Sequence, residues 1–345
     1  MRMIDAETVH RRLDYPGLIE ALRLAHRGPA PEAAHMMRDE PGGGDNRFVA
    51  LVGWQRDAII AVKLVGVFPS NLSLEPSQPS VQGVVVAFDA ATGSPRFVAD
   101  GAAMTFRKTA ADSALGASYL ARDNADTLLV VGAGGLAPHM IEAHCAVRPS
   151  LRRILIWNRT AERASALARD FRSKGLAVEA IEDLDRAVPQ ADIISCVTMS
   201  TAPLVRGALL KEGAHLDLVG AYREDMREAD DEAIVRGVLF VDTRNGMEGA
   251  GDLRQPVDHG LRSWDDIRAD LYDLATGRAP GRTDNGQITV FKNVGGGHLD
   301  RSLDGFGGCH RGRDLGRQFD GVPTGPRLQQ RQHPQGPLGG VGRHD

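Results

Sequence analysis

The chain has 345 residues, 42% of them hydrophobic and 25% charged, with a formal net charge of −4. That length holds two domains with separate cores, and that balance is ordinary for a globular protein, without the basic excess that marks a nucleic-acid binder. No run reaches the roughly 18 apolar residues of a membrane span, MRMIDAETVH lacks a signal-peptide core, and Cys145, Cys196 and Cys309 are spaced for neither disulfides nor metal. The expectation is a cytoplasmic protein without nucleic-acid, membrane or metal partners.

From the amino terminus, the first 30 residues carry a helical period, with Leu18, Ile19, Leu22 and Ala25 on one face and Gly28 and Pro29 at its end. A glycine-rich turn at 41–45 precedes strand-like runs at 48–52 and 58–68. The second run, AIIAVKLVGVF, contains Lys63, and an ammonium in such a run cannot be buried unpaired without large cost. Either Lys63 reaches water from an edge strand or it is a buried functional group; the loop PSN at the strand end favours the second reading. Segments 81–89 and 95–101, joined through Ala91, Thr92 and Gly93, form a hairpin pattern. From Thr105 a helix follows with Ala110, Ala111, Ala114, Leu115 and Leu120 inward. Arg107, Lys108 and Thr109 near its start are either a solvated charge pair or the partners of an anion.

Residues 127–137, TLLVVGAGGLA, organise the rest. An apolar strand runs into Gly132, Gly134 and Ala137, the small-residue positions of a GxGxxG/A turn, with Gly135 and Leu136 between them. The first glycine permits the turn, the second lets a pyrophosphate approach the backbone, and the third small residue lets helix pack on strand. A helix at 136–147 and a strand at 153–157 complete a unit of the length expected for half of a dinucleotide site. At the end of that strand an NAD site usually places an acid for the ribose hydroxyls. This chain has Asn158, Arg159 and Thr160, which suit a 2′-phosphate and hence NADPH, with NADH as the second choice.

Further strands at 193–197, 215–220 and 238–242 alternate with short helices. The fold class is therefore α/β, a doubly wound Rossmann-type parallel sheet, plus an antiparallel-strand-rich α+β domain for substrate and dimerisation. The expected bounds are 1–115 for the second unit, completed by 288–302, and 116–287 for the Rossmann domain. Residues at the parallel strand ends, Thr198 and Met199 among them, are candidates for ligand contact by position.

KLVGVFPSN (63–71), VADGAAMTFRKTAADSALGASYLAR (98–122), VVGAGGLA (130–137), ADIISCVT (191–198), GAYREDMREAD (220–230) and ITVFKNVG (288–295) together resemble the ornithine cyclodeaminase/mu-crystallin family. The resemblance covers most of 1–300. It implies a homodimer built through the strands of the substrate domain, and a nicotinamide cofactor touching the glycine turn, Thr109, Thr198, Met199 and Val294. It also implies a substrate lysine at Lys63 and a carboxylate-binding cation at Lys108, where the family has arginine, with Arg107 able to supply the lost fork. A further substrate arginine falls at Arg38, or failing that Arg47. Tyr222 stands where ornithine cyclodeaminases have the aspartate that handles the side-chain amine.

That departure points to the ketimine reductase branch, in which Lys63 and Tyr222 are the catalytic candidates. The expected reaction is NADPH-dependent reduction of Δ1-pyrroline-2-carboxylate or Δ1-piperideine-2-carboxylate to L-proline or L-pipecolate. The alternatives are ornithine cyclodeamination, with Glu224 or Asp225 as the acid, and a catalytically silent NADP-binding crystallin-like protein. Beyond 303 the chain is dense in Gly, Arg, Gln and Pro, and its composition predicts disorder. The similarity stops near Gly297, as a shift of reading frame would produce.

Overall fold

The computed structural model describes residues 1–30 and 32–294. The end of the segment 288–302 and the tail expected to be disordered from 303 lie outside the described residues.

The amino-terminal unit comprises β1 (Arg2–Ile4), α1 (Ala6–Arg12), α2 (Tyr15–Ala25), β2 (Glu32–Asp39), β3 (Arg47–Gln55), β4 (Ile59–Val67), β5 (Val81–Asp89), β6 (Pro95–Asp100) and the start of α3 (Gly101–Leu120). Its sheet has the order β1-β6-β5-β4-β3-β2, antiparallel except that β1 runs parallel to β6. Alternation sends Val49, Leu51, Ile59, Ala61, Val85 and Ala87 toward a core shared with α1 and α3. The opposite face is also apolar, with Phe48 and Trp54 exposed and Val62, Leu64 and Val86 half-buried.

The single helical stretch expected in the first 30 residues is interrupted twice. Arg2–Ile4 is a strand because β6 offers a pairing edge, and Asp14 starts α2 afresh by accepting the Gly17 N–H at 2.8 Å, with Pro16 in the first turn. The strand Glu32–Asp39 has no clear period in its sequence and owes its form to eight paired positions along β3.

The second unit continues with β7 (Thr127–Val131), α4 (Ala137–Val147), β8 (Arg153–Trp157), α5 (Ala161–Ser173), β9 (Val178–Ile181), α6 (Leu184–Ala187), β10 (Ile193–Cys196), β11 (His215–Leu218), α7 (Asp231–Arg236), β12 (Val238–Val241), α8 (Gly251–Asp258), β13 (Ile267–Ala269), α9 (Leu271–Thr276) and β14 (Thr289–Lys292). Its eight strands are all parallel, in the order β13-β12-β14-β11-β10-β7-β8-β9. All five residues of β7 are buried, as the uninterrupted apolar run requires when both sheet faces are covered. The chain leaves β7 toward β8 and β9 and returns to β10 on the other side. The glycine turn therefore opens at a topological switch point, where α/β sheets bind ligands. Residues 289–292, assigned from sequence to the amino-terminal unit, instead lie inside this sheet between β11 and β12.

Helix α3 joins the two units, so the expected boundary at 115 falls within it. Its amino-terminal half packs Ala103 and Met104 into the first core, while Ala110, Ala111, Ala114 and Leu115 share a second core with Met140 and Phe291. Small side chains make this possible: a Cβ at Gly116 would stand 2.9 Å from the Phe291 ring. Buried Asn293 locks the arrangement, its Nδ2 donating to the Thr109 carbonyl and the Ser113 hydroxyl, both at 3.1 Å. No helix among the described residues is long and apolar enough to cross a membrane. Replacing Asn293 with Ala removes both bonds and is expected to cost about 1–3 kcal/mol, read as a lower urea midpoint with an unchanged slope.

Candidate functional site

The glycine turn has the shape its sequence predicts. Gly132 sits at φ +117°, a conformation L side chains avoid, and a Cβ there would lie 3.0 Å from the Val197 carbonyl. A Cβ at Gly134 would meet open space, which leaves room for a ligand against the backbone. Gly135 packs on the Phe106 ring at 2.9 Å from the Cβ position, and fully buried Ala137 begins α4 just after Leu136. In the first turn of α4 the Ala137 N–H bonds the Gly134 carbonyl at 3.1 Å and Pro138 has no N–H, so the ligand space is set by the bare backbone at Gly134. A dinucleotide pyrophosphate fits this cradle.

Asn158 has a structural task at the end of β8. Its Oδ1 accepts the Ala133 N–H at 3.0 Å and its Nδ2 donates to the Thr160 carbonyl at 2.9 Å, so it braces the glycine turn. Arg159 beside it is exposed and has no hydrogen-bond or ion-pair partner among the described residues. The Thr160 hydroxyl makes no capping bond to α5, although the residue occupies the cap position. The end of β8 thus presents a guanidinium and a hydroxyl, and no carboxylate.

Lys63 lies on the core face of β4, opposite Leu51 of β3 and Val85 of β5, and is 8% exposed. Burial, together with the charge of Lys108, pushes its pKa down to about 7. Lys108 projects from α3 and is itself held by Asp112 one turn on, Nζ to Oδ2 2.6 Å, with Asp112 almost wholly buried. Helix and sheet together therefore enclose two ammonium groups and one carboxylate.

The candidate arginines, Arg107 and either Arg38 or Arg47, are held at other places. Buried Arg107 points the other way around α3, donating to the His10 carbonyl at 2.8 Å, pairing with Glu142 at 3.4 Å and stacking over Tyr15. It ties α1, α2 and α4 to α3 and supplies no fork to Lys108. Arg38 is paired in register with Phe48, on the sheet face opposite Lys63. Arg47 does share the Lys63 face, but it pairs with Val67 about 13 Å along the strand and is bound to Asp39 at 2.6 Å.

At the parallel strand ends, Met199 is exposed, Tyr222 is half-buried on the loop after β11, and buried Val294 donates its N–H to Asp242 at 2.9 Å. Thr198 is tied to Glu228, a residue not singled out from sequence. The Glu228 carboxylate accepts the Thr198 N–H and hydroxyl, and also the N–H groups of Val219, Gly220 and Ala221. Asp252 accepts the Glu228 N–H at 2.7 Å and the Lys292 ammonium at 3.1 Å, and all three side chains are fully buried. Lys292 was legible by the reasoning applied to Lys63, since VFK also sets a lysine in an apolar run. Its carboxylate partner lies 40 residues away in sequence and leaves no local signal. Among the described residues no three His, Cys, Asp or Glu side chains form a metal site.

The chain as a whole is similar to known proteins. The model of the ornithine cyclodeaminase/mu-crystallin family matches residues 9–300. Protein SAR DEFICIENT 4 of Arabidopsis thaliana is 44% identical over 245 residues, covering 70% of this chain and 75% of its own. A Δ1-pyrroline-2-carboxylate reductase of Paracoccus denitrificans is 38% identical over 296 residues, covering 86% and 92%. The solved Δ1-pyrroline-2-carboxylate reductase of Thermococcus litoralis, in complex with NADH and L-proline, superposes with a TM-score of 0.79 at 25% identity, covering 92% of this chain and 98% of that one. A family match over nearly all of the described residues, with relatives this similar over most of their length, makes the chain a member of the ornithine cyclodeaminase/mu-crystallin family.

Proposed function

We propose that this protein is a nicotinamide-dependent oxidoreductase that reduces cyclic ketimines. Its substrates are Δ1-pyrroline-2-carboxylate and the six-membered homologue Δ1-piperideine-2-carboxylate, its products L-proline and L-pipecolate, and its preferred cofactor is NADPH. The observation that carries the reading is buried Lys63 facing half-buried Lys108 of α3, the helix whose Phe106 packs against the cofactor-shaped glycine turn. Two cations suit a substrate that brings one carboxylate and one imine nitrogen. The names of the relatives point the same way. Ornithine cyclodeamination fits less well. It needs a free acid for a second amine, whereas Asp112 is engaged by Lys108, exposed Asp225 by Arg223, and exposed Glu224 approaches Arg254.

When bound, the nicotinamide supplies a hydride to the imine carbon. Lys108, steadied by Asp112, holds the substrate carboxylate as a point charge and so orients the ring. The Lys63 ammonium gives its proton to the imine nitrogen, which becomes the secondary amine, and Lys63 recovers the proton from solvent. A pKa of about 7 suits that exchange at neutral pH. The required form is the ammonium, present below about 7, so the rate falls as pH rises through that value. Tyr222 borders the same opening from the loop after β11, and the 2′-phosphate of NADPH is met by Arg159 and Thr160.

The uncovered apolar face of the six-stranded sheet supports a homodimer formed through this unit. Contiguous apolar surface of that kind is uncommon on a monomer.

The protein is expected to oxidise NADPH only when Δ1-pyrroline-2-carboxylate is present, and Arg159→Ala to raise the KM for NADPH about tenfold while leaving that for NADH unchanged; cofactor binding without turnover would instead favour the silent-binder reading. Lys63→Met lowers kcat by about a hundredfold or more. The same change stabilises the ligand-free protein, because between about 7 and the unfolded value of 10.5 the folded state binds fewer protons, and below about 7 it carries the full penalty of a buried ammonium. Calorimetry should show a melting midpoint higher by about 2–4 °C for each kcal/mol relieved. Val62→Arg, on the sheet face away from Lys63, converts the dimer to a monomer in light scattering.

A further inference from the structure

The carboxylate of Glu228 holds together the two strand ends that carry the site loops. Its Oε1 accepts from the Thr198 N–H at 2.5 Å and the Thr198 hydroxyl at 2.9 Å. Its Oε2 accepts from the N–H groups of Val219 at 3.0 Å, Gly220 at 2.6 Å and Ala221 at 3.3 Å. Thr198 follows β10 and leads to Met199; Gly220 and Ala221 follow β11 and lead to Tyr222. The two turns touch, since a Cβ on Gly220 would lie 1.8 Å from the Thr198 carbonyl. Glu228 is fixed in turn by Asp252, which accepts its N–H and is clamped by Lys292. A buried anion is expensive to keep, and sheet stability alone does not ask for one. What the anion adds is five converging acceptor bonds at the mouth of the switch point.

We propose that Glu228 is a positioning residue of the reductase site, its carboxylate setting the spacing between Thr198–Met199 and Tyr222, across which cofactor and imine meet. The role rests on the ketimine-reductase reading above.

The clamp also has an acid limit. Burial and the neighbouring Asp252 raise the Glu228 pKa to about 7, against the opposing pull of Lys292 and of the Thr198 bonds. The charged and titratable groups facing it are Asp252 from α8, Lys292 from β14 and the Cys196 thiol from β10. Protonation removes acceptor capacity from a carboxylate already saturated with donors, so the strand ends loosen as pH falls through about 7. This acid limb is opposite in sign to the alkaline limb of Lys63.

The test is Glu228→Gln in the full chain, isosteric but with an NH2 turned toward N–H donors. The expected kcat with Δ1-pyrroline-2-carboxylate falls about a hundredfold, as a misplacement near 1 Å would cause, while the NADPH Kd by fluorescence stays within about threefold. The acid limb of kcat disappears, and hydrogen exchange at the amides of Thr198, Gly220 and Ala221 accelerates. A folded E228Q with wild-type kcat and KM, or with unchanged exchange at those amides, overturns the proposal. Should E228Q not fold, Thr198→Val deletes only the hydroxyl bond, and the expected kcat loss is about tenfold; an unaltered kcat there overturns the proposal equally. An inactive wild type sinks the reductase reading and this role with it, whereas an active wild type with an unaltered E228Q sinks this role alone.

Discussion

Helix α3 is the constraint on which the other parts depend. It is buried along most of its twenty residues and belongs to both cores, so its position is set from two directions at once. Alanines and Gly116 let it approach β14 closely enough for Asn293 to bond its backbone. Because it cannot shift without disturbing both units, Lys108 is presented to Lys63 on one side, and the Phe106 ring is pressed against the glycine turn at Gly135 on the other. Lys63 of the first sheet and the glycine turn of the second are thereby both packed against one helix.

The buried charges divide by what surrounds them. Lys292 and Asp252 satisfy one another in the parallel-sheet core, and the pair anchors Glu228 and, through it, the ends of β10 and β11. Lys63 is buried as well, but its nearest charged influence is another cation, which drives its pKa down instead of fixing its charge. The first arrangement suits a scaffold. The second leaves an ammonium whose charge is costly to keep and is readily given up near neutral pH.

Charge type in a motif did not reveal side-chain direction. Arg107 and Lys108 are neighbours in sequence, yet on a helix adjacent residues point about 100° apart, so one braces α1 and α4 while the other meets Lys63. The same parity argument on a strand separates Arg38 from the Lys63 face and keeps Arg47 on it, although only the pairing register reveals which is which. Asn158 shows a subtler case, because its place at the end of β8 suggested ligand contact and did not reveal that its amide also supports the turn.

Local chemistry by itself determined the glycine turn, the strand-helix-strand unit around it, the hairpins and the unusual setting of Lys63 in an apolar run. Each rests on a short-range rule: the backbone freedom of glycine, the period of apolar residues, or the cost of a lone ammonium in an apolar run. Tertiary structure decided what depends on distant partners. It made strands of Arg2–Ile4 and Glu32–Asp39 by offering sheet edges, drew Thr289–Lys292 into the middle of the parallel sheet, and assembled Glu228, Asp252 and Lys292 from three separated segments. Pairing and burial are long-range properties, and a residue's neighbours in sequence carry no record of them.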